Sequence, residues 1–176
     1  MISPFDWPRT TRTDVSVPPV PGLYALFLRR PEILGGLPPL REGLIYIGKA
    51  AGRRGLLGRC HFNGRTTNHS PRKSLAYLLK ENLQLTPIYI PKSKSSATWG
   101  LDAESDERLS CWMHSNLLIA IRPCAAPEVA EKKLIAEFRP PLNLNAYTLT
   151  AESEAIKVGR KRMFKHVKNA AGAGAP

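Results

Sequence analysis

Two short apolar runs constrain this chain more than any other feature. Gly22-Leu23-Tyr24-Ala25-Leu26-Phe27-Leu28 and Gly43-Leu44-Ile45-Tyr46-Ile47-Gly48 each open on a glycine and each carry a tyrosine. The gap between them holds Pro31, Gly35, Gly36, Pro38 and Pro39. Apolar runs bounded in this way read as two β-strands joined by a long hairpin loop. Tyrosine suits a strand on packing grounds alone. A buried strand has no need of a hydroxyl, however, and tyrosines on adjacent strands can aim their phenols at one point. Core packing and a functional site therefore both stand as readings of Tyr24 and Tyr46.

After Gly48 the chain turns basic. Lys49, Arg53, Arg54, Arg59, Arg65, Arg72 and Lys73 follow one another without an intervening acid. A solvated face is the plain explanation of such a run. Gly52, Gly55, Gly58 and Gly64 are interleaved with it, and glycine lets a backbone come close to a ligand. On that ground Arg53, Arg54, Arg65, Arg72 and Lys73 are candidate phosphate contacts. The net charge of +12 and the pI near 10.0 agree, because an excess of this size points to a polyanionic partner. Nucleic acid fits better than a membrane, since no apolar run approaches the roughly 20 residues of a spanning helix.

Ser70-Pro71 opens a helix predicted over about 71 to 83, with Leu75, Leu78, Leu79 and Leu83 on one stripe. Residues 85 to 90 read as a strand that Pro87 confines to a sheet edge. A polar loop is expected over 91 to 100. A helix over about 103 to 116 carries Leu109, Trp112 and Met113, with Glu104, Asp106 and Glu107 in its opening turns. Residues 117 to 121 form a buried strand. Pro127 opens a last helix that ends before Pro140. The proline-rich residues 1 to 21 form an arm anchored by Phe5 and Trp7. Residues 147 to 176 form a basic tail whose end, from Ala170, is expected to be disordered.

Glu131 stands out on the last helix. It shares a stripe with Leu134, Ile135 and Phe138, at offsets of three, four and seven. A carboxylate on a core-facing stripe is costly unless it is paired or binds a metal. A first-turn glutamate favoured by the helix dipole is the alternative.

Gly22-Leu23-Tyr24, Tyr46-Ile47-Gly48 and the segment from Glu131 through Leu134-Ile135 to Pro140 and Asn143 together resemble the GIY-YIG nucleases. Leu23 replaces the isoleucine of the first triplet. The resemblance implies an α/β (α+β) fold with a small, mainly antiparallel central sheet flanked by helices. The domain is expected over 22 to 146, with an inserted strand and helix over 84 to 116. It also implies divalent-metal-dependent hydrolysis of phosphodiester bonds in DNA, with RNA left open as a substrate. Glu131 maps onto the metal ligand, and one carboxylate with several waters suits Mg²⁺ or Mn²⁺. Tyr24 and Tyr46 map onto the family tyrosines, either of which serves as base or relay. A phenol ordinarily titrates near 10, so it needs a neighbouring cation to act at neutral pH. Lys49 assists proton transfer or holds a phosphate oxygen. His61 is a proton carrier or substrate contact, and Asn143 braces the site.

The resemblance also calls for an arginine in the helix after the second strand, a bidentate partner for the phosphate. Arg53, Arg54 and Arg59 compete for this role, and Gly55-Leu-Leu-Gly58-Arg59 favours Arg59. A nucleic-acid-binding module without catalysis is the alternative function. Three isolated cysteines and no evident secretory leader lead us to expect a cytoplasmic protein. The tail, read as a freely coiling DNA arm, would steepen the salt dependence of binding by about 2 to 4 units; the competing account is a tail that folds onto the domain through Met163 and Phe164 and stabilises it.

Overall fold

The structure is a computed structural model, and it describes residues 3–11, 17–34, 37, 41–58, 62–93, 95–145 and 149–173. The two apolar runs become β2 (Gly22–Leu28) and β3 (Leu44–Ala50), preceded by the short β1 (Arg9–Thr10). A later strand, β6 (Leu117–Pro123), completes a four-stranded sheet in the order β1-β6-β2-β3. Every pairing in it is antiparallel. β2 lies between β6 and β3, and all seven of its residues are buried. Burial on both faces explains why it shows no polar alternation. β3 is an edge strand, and that free edge is where the candidate site forms.

Register decides which side chains share a face. Tyr24 pairs with Gly48, and Leu26 pairs with Tyr46. Paired residues of an antiparallel ladder point the same way, so both tyrosines lie on one face. Leu28 and Ile119 join them there. Helices α1 (Ser70–Leu78) and α2 (Ala103–Asn116) cover this face with Leu75, Ala76, Leu109 and Met113. On the opposite face Leu23, Ala25, Phe27, Ile47 and Ala120 pack with Trp7 and with Leu134 of α3 (Pro127–Phe138). Helices therefore flank both faces of an antiparallel sheet, the expected fold class. The arm contributes β1 to the sheet edge and a buried Trp7, so Phe5 and Trp7 anchor it as predicted.

Three elements differ from expectation. The helix predicted to reach 83 ends at Leu78, with Gln84 in the left-handed region at φ 49°. Turns with helical hydrogen bonds, Leu83 N–H to Leu79 O at 2.9 Å among them, carry the apolar spacing onward without a continuous helix. The expected polar loop contains a strand. β4 (Pro87–Pro91) pairs with β5 (Ala97–Leu101) in a separate two-stranded sheet, so the insertion brings a hairpin and a helix. Trp99 and Leu101 hold that hairpin in the main core.

The third difference is the tail. It forms α4 (Ala151–Ala173), helical through residues 170 to 173, where disorder was expected. Ile156 and Val167 are buried in the main core, and Met163 and Phe164 pack against it. Gly159 meets α1 so closely that a Cβ there would collide with the Tyr77 ring. Met163 and Phe164 are among the contacts of α4, as the folded-tail account has them.

Arg72 ties α1 to α2. Its guanidinium is fully buried and donates to Phe62 O at 3.1 Å, Asp106 O at 3.0 Å and Asp106 Oδ1 at 3.2 Å. Burial pushes its pKa down from the ordinary arginine value, and the hydrogen bond and charge of Asp106 oppose that shift. Arg72 is therefore no phosphate contact, contrary to the sequence reading: its charge faces Asp106 inside the protein. Asp106 also accepts from Thr66 N at 3.0 Å and from Thr66 Oγ1 at 2.5 Å. Removing one partner of a buried ion pair costs about 3–5 kcal/mol, so Asp106→Ala is expected to lower stability by that amount in denaturant titrations. Pairing Asp106→Leu with Arg72→Met should recover part of the loss, because no buried charge then remains although Thr66 loses its acceptor. A double variant as unstable as Asp106→Ala would contradict this account.

Candidate active site at the free edge of the sheet

The site is built where β3 lacks a neighbouring strand. Asn143 takes the place of one. Its Oδ1 accepts from Ile47 N at 3.0 Å, and its Nδ2 donates to Ile47 O at 2.7 Å. Leu142 N adds a bond to Ile45 O at 3.0 Å. Pro140 and Pro141 end α3, and Arg139 turns in the left-handed region at φ 46°, which swings the chain back along β3. The segment 142 to 144 is buried there and fixes the end of α3 against the strand.

Glycines shape the tyrosine face. A Cβ at Gly48 would collide with Tyr24 Oη and with Tyr46 Cε1, so the Tyr24 phenol lies across Gly48. The tyrosine rings are tilted by 32° with centroids 5.9 Å apart. Tyr24 is 2% exposed, whereas Tyr46 is half-buried and faces a cavity. A Cβ at Gly22 would likewise strike Leu56, which packs on the start of β2. Both glycines of the two triplets are thus required by close approach.

Lys49 leaves β3 on the face opposite the tyrosines, toward α3. Its Nζ lies 3.0 Å from Glu131 Oε2, and the glutamate side chain is 16% exposed. Among the described residues Lys49 is its only ionic partner. A cavity of about 430 Å³ brings these groups together, lined by Tyr46, Lys49, Glu131, Asn143 and the first residue of α1, Ser70. No cluster of three or more His, Cys, Asp or Glu side chains that could hold a metal ion occurs among the described residues, and Glu131 is the one carboxylate among those lining the cavity.

A family model for the GIY-YIG catalytic domain matches residues 39–163, well over half of the chain. The chain belongs to the GIY-YIG catalytic domain family. Curated proteins and solved structures give no match. The matched span holds Tyr46, Lys49, Glu131 and Asn143 and reaches into α4; Tyr24 lies upstream of it. Membership in the GIY-YIG family supports a nuclease-type function and a nucleic-acid substrate. No helix among the described residues is long and apolar enough to cross a membrane.

The basic residues distribute unevenly around this GIY-YIG site. Arg59 and His61, the expected arginine and proton carrier, lie outside the described residues. Arg53, Arg54 and Arg65 are exposed and do not line the Glu131 cavity. Arg65 instead borders a different cavity, shared with Asp102, Asp106 and Glu107. Arg72, on α1, is buried against Asp106 and does not line the Glu131 cavity. Lys73 is nearly buried, donates to Thr98 Oγ1 at 2.5 Å and sits 5.4 Å from the Trp99 ring centroid. Burial, then the charges of Arg160 and Lys92, push its pKa down to about 8.

Proposed function

We propose that this chain is a divalent-metal-dependent endonuclease that hydrolyses phosphodiester bonds in DNA. The observation that carries the reading is the meeting of Glu131, Lys49, Tyr46 and Asn143 around one cavity at the β3 edge of a GIY-YIG domain. The donor set fits one Mg²⁺ or Mn²⁺, because hard cations accept a single carboxylate and complete their shell with water. Glu131 would hold the ion. When bound, the ion supplies positive charge against the negative charge that builds on the phosphate and the leaving oxygen.

The protein's own groups do the rest. Water attacks phosphorus, and the bond to the leaving oxygen breaks. Tyr46 Oη takes part in moving the proton from that water, since it is the motif tyrosine that lines the cavity. Tyr24 is buried across Gly48 and acts by holding Tyr46 in place. Lys49 balances Glu131 and offers its ammonium to a phosphate oxygen. Asn143 is a positioning residue that fixes β3 through Ile47. A cytoplasmic setting belongs to the same reading, resting on isolated cysteines.

The alternative is a nucleic-acid-binding module without catalysis. Supercoiled plasmid incubated with the protein in Mg²⁺, Mn²⁺ or EDTA separates the two. Nicks that require the metal are the expected result. Retarded plasmid that stays uncut with either metal would select the binding module.

A further inference from the structure

Beside the Glu131 cavity lies a second one, of about 320 Å³, which shares Ser70, Leu144 and Asn145 with it. Its walls come from the start of α1, from β5 and from α4. Four cations line it, Lys73, Lys157, Arg160 and Lys161, and no acid does. Lys157 has Glu154 at 3.7 Å on its own helix. Arg160 Nη1 donates to Ser74 Oγ at 3.1 Å, Ser70 Oγ at 3.3 Å and Ser70 O at 3.4 Å. Lys73 donates to Thr98 Oγ1. Neither Lys73 nor Arg160 has a carboxylate partner among the described residues.

This differs from the way the fold treats its other buried cation. Arg72 is buried against Asp106. Lys73 and Arg160 are held by hydroxyls, in a place where burial lowers the pKa of each. Burying like charges together without a counter-ion is costly, and an anion entering the cavity would offset that cost. Ser70, which accepts from Arg160, also lines the Glu131 cavity, so this arginine stands at the border of the two cavities. The docking of Gly159 onto Tyr77 holds Arg160 on a fixed surface of α4.

We propose that the cleft of Lys73, Arg160 and Lys161 is a DNA phosphate subsite, which binds a phosphate of the strand next to the one at Glu131. Ser70 marks the junction between the two positions. The subsite rests on the nuclease reading for its place along the strand. Arg160 grips the phosphate through its planar fork, while Lys73 and the exposed Lys161 add charge from the floor and the rim.

The test is fluorescence anisotropy of a short labelled DNA duplex in EDTA, across a salt series, for the full chain and its variants. Arg160→Ala is expected to weaken binding about tenfold or more, as for a lost charge-assisted bond. It should also flatten the slope of log affinity against log salt by about one unit. Arg160→Lys should regain the slope and only part of the affinity. Lys161→Glu lies on the exposed rim and leaves the core untouched, so it decides the matter should Arg160→Ala fail to fold. Wild-type affinity and slope in both Lys161→Glu and Lys73→Gln would overturn the subsite. Plasmid cleavage by the wild type together with that result defeats the subsite alone. Variant-sensitive binding with no cleavage in any metal defeats the nuclease reading and leaves an anion site on a binding module.

Discussion

Glu131→Gln is expected to reduce metal-dependent DNA cleavage by about a thousandfold or more, which corresponds to the several kcal/mol that a bound cation supplies to charge building on the phosphate. The amide keeps the shape of the side chain and removes the charge that would hold the ion. Stability should change little. Glu131 gives up an ion pair with a Lys49 side chain that is 34% exposed, and such partly solvated pairs contribute about 1 kcal/mol or less. Lost cleavage with an unchanged melting transition is therefore the signature expected. Cleavage at the wild-type rate would show that Glu131 is not the ligand. Loss of both activity and fold would mean that its bond to Lys49 is structural.

Truncation after Thr150 is expected to abolish cooperative folding. For residues 147 to 176 the sequence reading set a coiling arm, whose loss would only weaken the salt dependence of binding, against a tail folded onto the domain. The structure makes most of them a 23-residue helix that closes the tyrosine-side core. Removing it strips cover from the cluster holding Ile156 and Val167 and opens the surface of α1 around Tyr77. Full burial of each such side chain contributes about 1.5–3 kcal/mol, so the loss adds to about 5 kcal/mol or more as an upper figure. That equals a large part of an ordinary domain's stability. Circular dichroism of the truncated chain should show no sharp melt. A transition at the wild-type temperature, with only the salt slope altered, would restore the free-arm description.

The elements that could be read from the sequence are those whose own residues carry the pattern. β2 and β3 are continuous apolar runs, α2 opens on an acid-rich turn capped by Asp102, and α3 starts at Pro127 and stops at Pro140. What could not be read depends on partners far away in the chain. The bonds of Asn143 to Ile47 span 96 residues, and nothing local distinguishes them from a turn asparagine, so its bracing role came from the family resemblance alone. Arg72 looked like its basic neighbours because Asp106, 34 residues on, gave no sign of pairing with it. β5 is five residues long and lies within a stretch of serines and lysines, so its Trp99 was the one available signal. In α4 the recurrence of Ile156, Met163 and Val167 at helical spacing was legible but stood behind the charge of Arg160, Lys161 and Arg162. The tyrosines were found from the strands, but which of them faces the cavity follows only from the burial of Tyr24 across Gly48 and the place of Tyr46 in the cavity wall.

The account turns on whether Glu131 holds a cation, and calorimetric titration of Mn²⁺ into the metal-free protein, with and without Glu131→Gln, tests this without relying on catalysis. A single saturable site in the wild type that disappears in Glu131→Gln, while both proteins melt alike, is the predicted result. Mn²⁺ binding of equal affinity in the two proteins, or no binding to the wild type in the presence of DNA, would contradict it.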